Sequence, residues 1–162
     1  MSKISIPFMS PEKNGVHPVL EDTAEYLLDI SNTYIKPSRD DMLCKAWELF
    51  RFLCIRAVYG DNVSPSGILD DVWHSVILDT VLYQRLCRLV IDELQSENLC
   101  GVSHNIISHS KLASLDSSEM KDKRYKEGCM VYKMIYGKPI DRKLWPDLRA
   151  PPRDPLGSRD GC

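Results

Sequence analysis

The sequence predicts an all-α protein, a single globular domain of four to five helices with a long irregular connection. Three observations predict it. Apolar residues recur at spacings of three and four over several long stretches, no convincing series alternates apolar with polar residues, and prolines or small polar residues stand where the stretches begin. With 162 residues, 43% of them hydrophobic and 27% charged, the chain is long enough for one core and short for two.

Residues 1–17, with Pro7, Pro11 and Gly15 and no clean periodicity, read as an N-terminal arm, and residues 18–149 as the helical domain. A helix begins at His17-Pro18, because a missing amide proton costs little in a first turn, and Leu20, Ala24, Leu27 and Leu28 give it an apolar side. Pro37-Ser38 opens the next, with Ser38 and Asp41 at the spacing of a reciprocal cap. Its face runs through Leu43, Ala46, Trp47, Phe50, Leu53, Cys54, Ala57 and Val58, and Tyr59-Gly60-Asp61-Asn62 ends it.

The longest periodic stretch predicts one helix from about Leu69 to Leu94, capped by Asp70, with Val76, Thr80, Tyr83, Cys87, Val90 and Leu94 toward the core. Residues 97–117 form the polar connection, whose conformation the sequence does not fix. Asp116 and Glu119 are spaced as a capping box for a last helix carrying Met120, Tyr125, Cys129, Tyr132, Met134, Ile135 and Tyr136, with Gly137 as its stop. Met134 is read as core, as are Trp47, Trp73 and Tyr83. Leu144-Trp145-Pro146 folds back, since the indole would otherwise lie in water, and residues 150–162 read as a flexible tail.

Charge excludes little but orders the alternatives. Acidic residues number 23 and basic residues 21, for a net charge of −2, so no global field favours nucleic acid. Lys121, Lys123, Arg124 and Lys126 make a basic run, interrupted by Asp122 and Glu127, that reads first as a solvated helix end and second as a nucleic-acid contact aided by Arg142 and Lys143. Neither a signal-peptide core nor the roughly 20 apolar residues of a membrane span is present, so no membrane role is expected. The six scattered cysteines, at 44, 54, 87, 100, 129 and 162, read as reduced thiols of an intracellular, cytoplasmic protein.

The densest chemical signal is Leu69-Asp70-Asp71-Val72-Trp73-His74. On a helix, Asp70, Leu78, Val81, Arg85 and Arg88 lie within roughly 40° of His74, opposite the main apolar face. Leu78 and Val81 on this second face imply a covering segment, and the connection holding His104 and His109 is the nearest one. Three imidazoles, His74, His104 and His109, would suit zinc or another divalent metal, with Cys100 as an additional ligand, while Cys87 points to the packing face. Ordinary hydrogen-bonded histidines are the bland alternative. A metal-free acid–base site would pair His74 with Asp70 or Asp71, but no convincing nucleophile accompanies them.

Asp71, Val72, Trp73, His74, Ile77, Leu78, Thr80, Tyr83 and Cys87 together resemble a helix of the glycine-rich-domain-containing-protein-like family, which includes small bacterial members. His104 and His109 are similar to histidines that follow that helix in the family, and Tyr136, Gly137, Pro139, Trp145 and Pro146 to a later aromatic-Gly-Pro-Trp-Pro pattern. The resemblance spans roughly residues 40–146 and implies a helical fold rather than a reaction. The functional expectation is a helical protein-interaction module stabilised by a divalent metal. Its alternatives are a zinc-dependent hydrolase in which Asp70 or Asp71 positions a water, and a nucleic-acid-binding protein.

Overall fold

Five α-helices carry the described part of the chain: α1 (Pro18–Asp29), α2 (Arg39–Tyr59), α3 (Gly67–Ile77), α4 (Thr80–Ser96) and α5 (Ser118–Tyr136), with a 3-10 turn at Gly60–Asn62 after α2. The computed structural model describes residues 15–96, 106–109, 116–137 and 141–147, among which there is no strand. Residues 1–14 of the expected arm and the expected tail over 150–162 lie outside them, as do Cys100 and His104.

Helix α1 starts as its sequence predicts, with Pro18 in the first turn and His17 Nδ1 accepting the Val19 amide proton at 3.2 Å. It buries Val19, Leu20, Ala24 and Leu27. At the start of α2, Ser38 Oγ accepts from the Asp41 amide at 3.1 Å and donates to the Asp41 carboxylate at 2.8 Å, completing the reciprocal cap. These Ser38 hydrogen bonds, side chain first, hold the Asp41 carboxyl below its ordinary range.

Helix α2 is central. Every residue from Ala46 to Arg56 is buried, so its whole circumference is covered rather than the single stripe expected from periodicity. Helices α1, α3, α4 and α5 all pack on it. Arg56 closes its end by donating to Gly60 O at 2.7 Å and pairing with Asp61, while Gly60 takes a positive φ of 59°.

The single long helix expected over residues 69–94 is two. Helix α3 stops at Ile77, and Asp79 Oδ1 accepts the Leu82 amide proton at 3.0 Å, capping a new helix. Beyond the break α4 buries Leu82, Tyr83, Leu86, Cys87, Val90 and Leu94, whereas Thr80, expected toward the core, is exposed. Asp70 does not cap α3 either. Ser66 does, accepting from Leu69 N at 3.1 Å while its own hydroxyl donates to Leu144 O.

Helix α5 is capped by Ser117, and the neighbouring Asp116 pairs with Arg124 at 2.8 Å. Its buried stripe is Tyr125, Gly128, Val131, Tyr132 and Ile135, which turns Met134 outward against expectation. Gly128 is required there, because a Cβ would sit 2.9 Å from Ser64 O. Gly137 ends the helix in the left-handed conformation, φ 59°. Trp145 folds back as expected and is fully buried against Phe52, Tyr125 and Tyr132. Among the described residues, no helix is long and apolar enough to cross a membrane.

Candidate metal centre

Asp70 and His74 stand one turn apart on α3, so their side chains rise from the same helix face. His74 Nδ1 lies 3.4 Å from Asp70 Oδ2, and the other carboxylate oxygen, Oδ1, lies 2.9 Å from His109 Nε2. The two imidazole rings are 4.3 Å apart between centroids, tilted by 45°. One donor atom from each of the three residues falls within 4.8 Å of the other two. Zinc bonds of about 2.0–2.1 Å place tetrahedral donors roughly 3.4 Å apart, so small side-chain rotations would close this set on one ion.

Exposure is graded across the cluster. The His109 side chain is 23% accessible, Asp70 37% and His74 56%, so one flank rests on protein and the other meets solvent. The inner flank is Trp73, whose ring centroid is 4.3 Å from that of His109. Trp73 in turn packs edge-on against Phe52 of α2, which ties the site to the core.

His109 arrives on a short segment, residues 106–109, in which Ile106 and Ser108 face outward, Ile107 is buried and His109 turns inward. The segment is held from below by α4. Tyr83 Oη donates to Ile107 O and accepts from Trp73 Nε1 at 2.9 Å, and the Cys87 thiol lies beside Tyr83 and the Ile107 backbone. Burial pushes the Tyr83 hydroxyl well above its ordinary ionisation range and raises the Cys87 thiol, so both stay protonated at neutral pH.

Of the residues singled out by sequence, His74 and His109 do meet. His104 and Cys100 lie outside the described residues. Cys87 is fully buried, as expected. Asp71 is exposed and its carboxylate is not part of the cluster. Its one neighbouring position on the helix turns it about 100° away from Asp70. Asp70, read as a cap or a water-positioning base, instead lies among the potential metal donors. The signal that could have placed it there was its spacing of four from His74. The expected cover over the second face of α3 is partial: residues 106–109 reach Trp73, His74 and Asp70, while Leu78 and Val81 remain 81% and 67% exposed.

Chemically, two imidazoles and a carboxylate favour a borderline divalent ion over calcium or magnesium, which prefer all-oxygen shells. The same contacts also describe a carboxylate accepting hydrogen bonds from two imidazoles. No family model, curated protein or solved structure matches the chain.

Proposed function

We propose that this chain is a helical protein-interaction module carrying a divalent-metal site of Asp70, His74 and His109, with zinc as the first candidate. The observation that carries the reading is the convergence of three donor side chains from two separate segments, with one flank open to solvent. The exposed Leu78 and Val81, four and seven residues beyond His74, support a role in protein contacts. An intracellular setting belongs to the same proposal and is supported by Cys44, Cys54, Cys87 and Cys129 being free thiols. So does membership of the glycine-rich-domain-containing-protein-like family, which rests on Asp71 to His74, Tyr83 and Cys87.

A zinc hydrolase is the second reading, favoured by the exposure of His74, since three protein ligands leave a coordination position for water. It is weakened by the carboxylates: Asp70 is occupied with both histidines and Asp71 lies outside the cluster, leaving neither placed as a base. Nucleic-acid binding loses Arg124, which is paired with Asp116.

Metal content of tag-free protein, measured by mass spectrometry beside a His74→Ala sample, tests the leading reading. Near-stoichiometric zinc, or another divalent transition metal, that falls away in the variant is the expected result. Wild-type protein without bound metal, which also takes up none from a zinc solution, would refute it.

A further inference from the structure

The metal donors account for Asp70, His74 and His109 but leave unexplained why Trp73, Tyr83 and Cys87 direct their polar atoms toward one another and toward Ile107. Packing alone does not require this: each is buried and an apolar residue of similar volume would fill the space. The hydrogen bonds run in a relay from the Trp73 indole through the Tyr83 hydroxyl to the backbone carbonyl of Ile107. Tyr83 Oη uses its donor on the Ile107 carbonyl and an acceptor on the Trp73 indole, and the buried Cys87, one turn along α4, lies beside them.

Ile107 and His109 are two residues apart in a segment whose burial alternates outward, inward, outward, inward. Ile107 and His109 thus lie on the protein-facing side of the segment, and Ile106 and Ser108 on the other. Fixing the Ile107 carbonyl and burying its side chain therefore determines which way His109 faces. The indole that donates to Tyr83 is also the ring against which His109 rests, so one hydroxyl orients both the segment and the surface it lies on.

From this geometry we infer that Tyr83, with Trp73 and Cys87, is a positioning residue of the site. It latches residues 106–109 onto α3 and α4 and thereby presents His109 to a divalent cation bound with Asp70 and His74. The inference builds on the metal reading above. It differs in locating part of the binding strength in a residue that touches no donor atom, since groups that orient ligands typically alter metal affinity by about 10–100-fold.

Tyr83→Phe removes only the hydroxyl and Ile107→Ala weakens the anchor from the segment itself, without changing any helix. Two readouts are taken on both variants and on wild type: cobalt(II) and zinc affinity, and the imidazole proton resonances of His109 in metal-free protein, which the Trp73 ring current displaces. The expected result is an affinity about 10–100-fold weaker, with His109 resonances shifted toward those of a free imidazole and helix content unchanged. Wild-type affinity and unmoved His109 resonances in Tyr83→Phe, with only a lower unfolding midpoint, would overturn the inference and leave a purely structural hydroxyl. If wild type binds neither cation, the metal reading falls. The resonances then still decide whether Tyr83 places His109.

Discussion

Glu48 on α2 and Asp70 on α3 are both carboxylates surrounded by aromatic rings, and the protein treats them in opposite ways. Glu48 is buried with both oxygens engaged: Oε1 by Arg51 and by the Tyr132 hydroxyl at 3.0 Å, Oε2 by the Trp145 indole at 3.2 Å. Arg51 lies in turn near the rings of Trp47 and Tyr136, which also donates to its carbonyl. Asp70 keeps a side exposed to water and, among the described residues, its carboxylate meets imidazoles, groups that exchange a proton or accept a cation at modest cost. A charge enclosed on every side fastens α2 to α5 and to the returning Trp145 segment. A charge left half open is suited to exchange.

The contrast predicts unequal costs. Glu48→Gln leaves the Arg51 guanidinium buried without its counter-charge, which costs about 3–5 kcal/mol and is read as a lower denaturant midpoint. Asp70→Asn, at a partly exposed position, costs under about 1 kcal/mol in the absence of metal. Similar losses in the two variants would break the comparison.

A smaller, pH-dependent effect comes from the tyrosines. Burial raises Tyr83, Tyr125, Tyr132 and Tyr136 above the ordinary value of 10.0, so in the folded protein each holds its proton more tightly than in the unfolded chain. Their stabilising contribution is complete below pH 10 and declines as pH rises beyond it, because the unfolded chain then binds fewer protons. Ultraviolet titration should show these four ionising only together with the loss of helical circular dichroism. Ionisation of any of them while the helices persist would contradict the burial argument. The smallest effect is expected at Leu78, beside the open cluster, where Leu78→Lys should change stability by no more than about 0.5 kcal/mol in the same denaturant assay. A larger loss would mean that this face is covered.

The two regions also differ in how legible they were. Helix starts at His17-Pro18 and Ser38, the stop at Gly137 and the return of Trp145 are local or nearly local events, and spacing revealed them. The break at Asp79 was hidden because Val76, Tyr83 and Cys87 fit one uninterrupted period as well as two helices. Glu48 and Arg51 look like an ordinary exposed i,i+3 pair, and only the arrival of Tyr132 and Trp145 from the far end of the chain makes them a buried network. At the site, His74 stood out by facing away from the core stripe. That His109 meets it depends on Ile107 being seated against Tyr83 of α4, a contact across 24 residues that no local pattern encodes. Asp70 was read as the cap that Ser66 provides, because a carboxylate near a helix start satisfies the rules for a cap.

Zinc-dependent stabilisation addresses the difference between the two carboxylates directly. Unfolding of wild type, Asp70→Asn and Glu48→Gln is followed with chelator and then with zinc at about a hundred times its dissociation constant, where a folded-state ligand adds about 2.7 kcal/mol. That gain is expected in wild type, is lost in Asp70→Asn, and is retained in Glu48→Gln despite the lower starting stability. No gain in wild type, or an equal gain in Asp70→Asn, would contradict the assignment of the half-open cluster as a metal site.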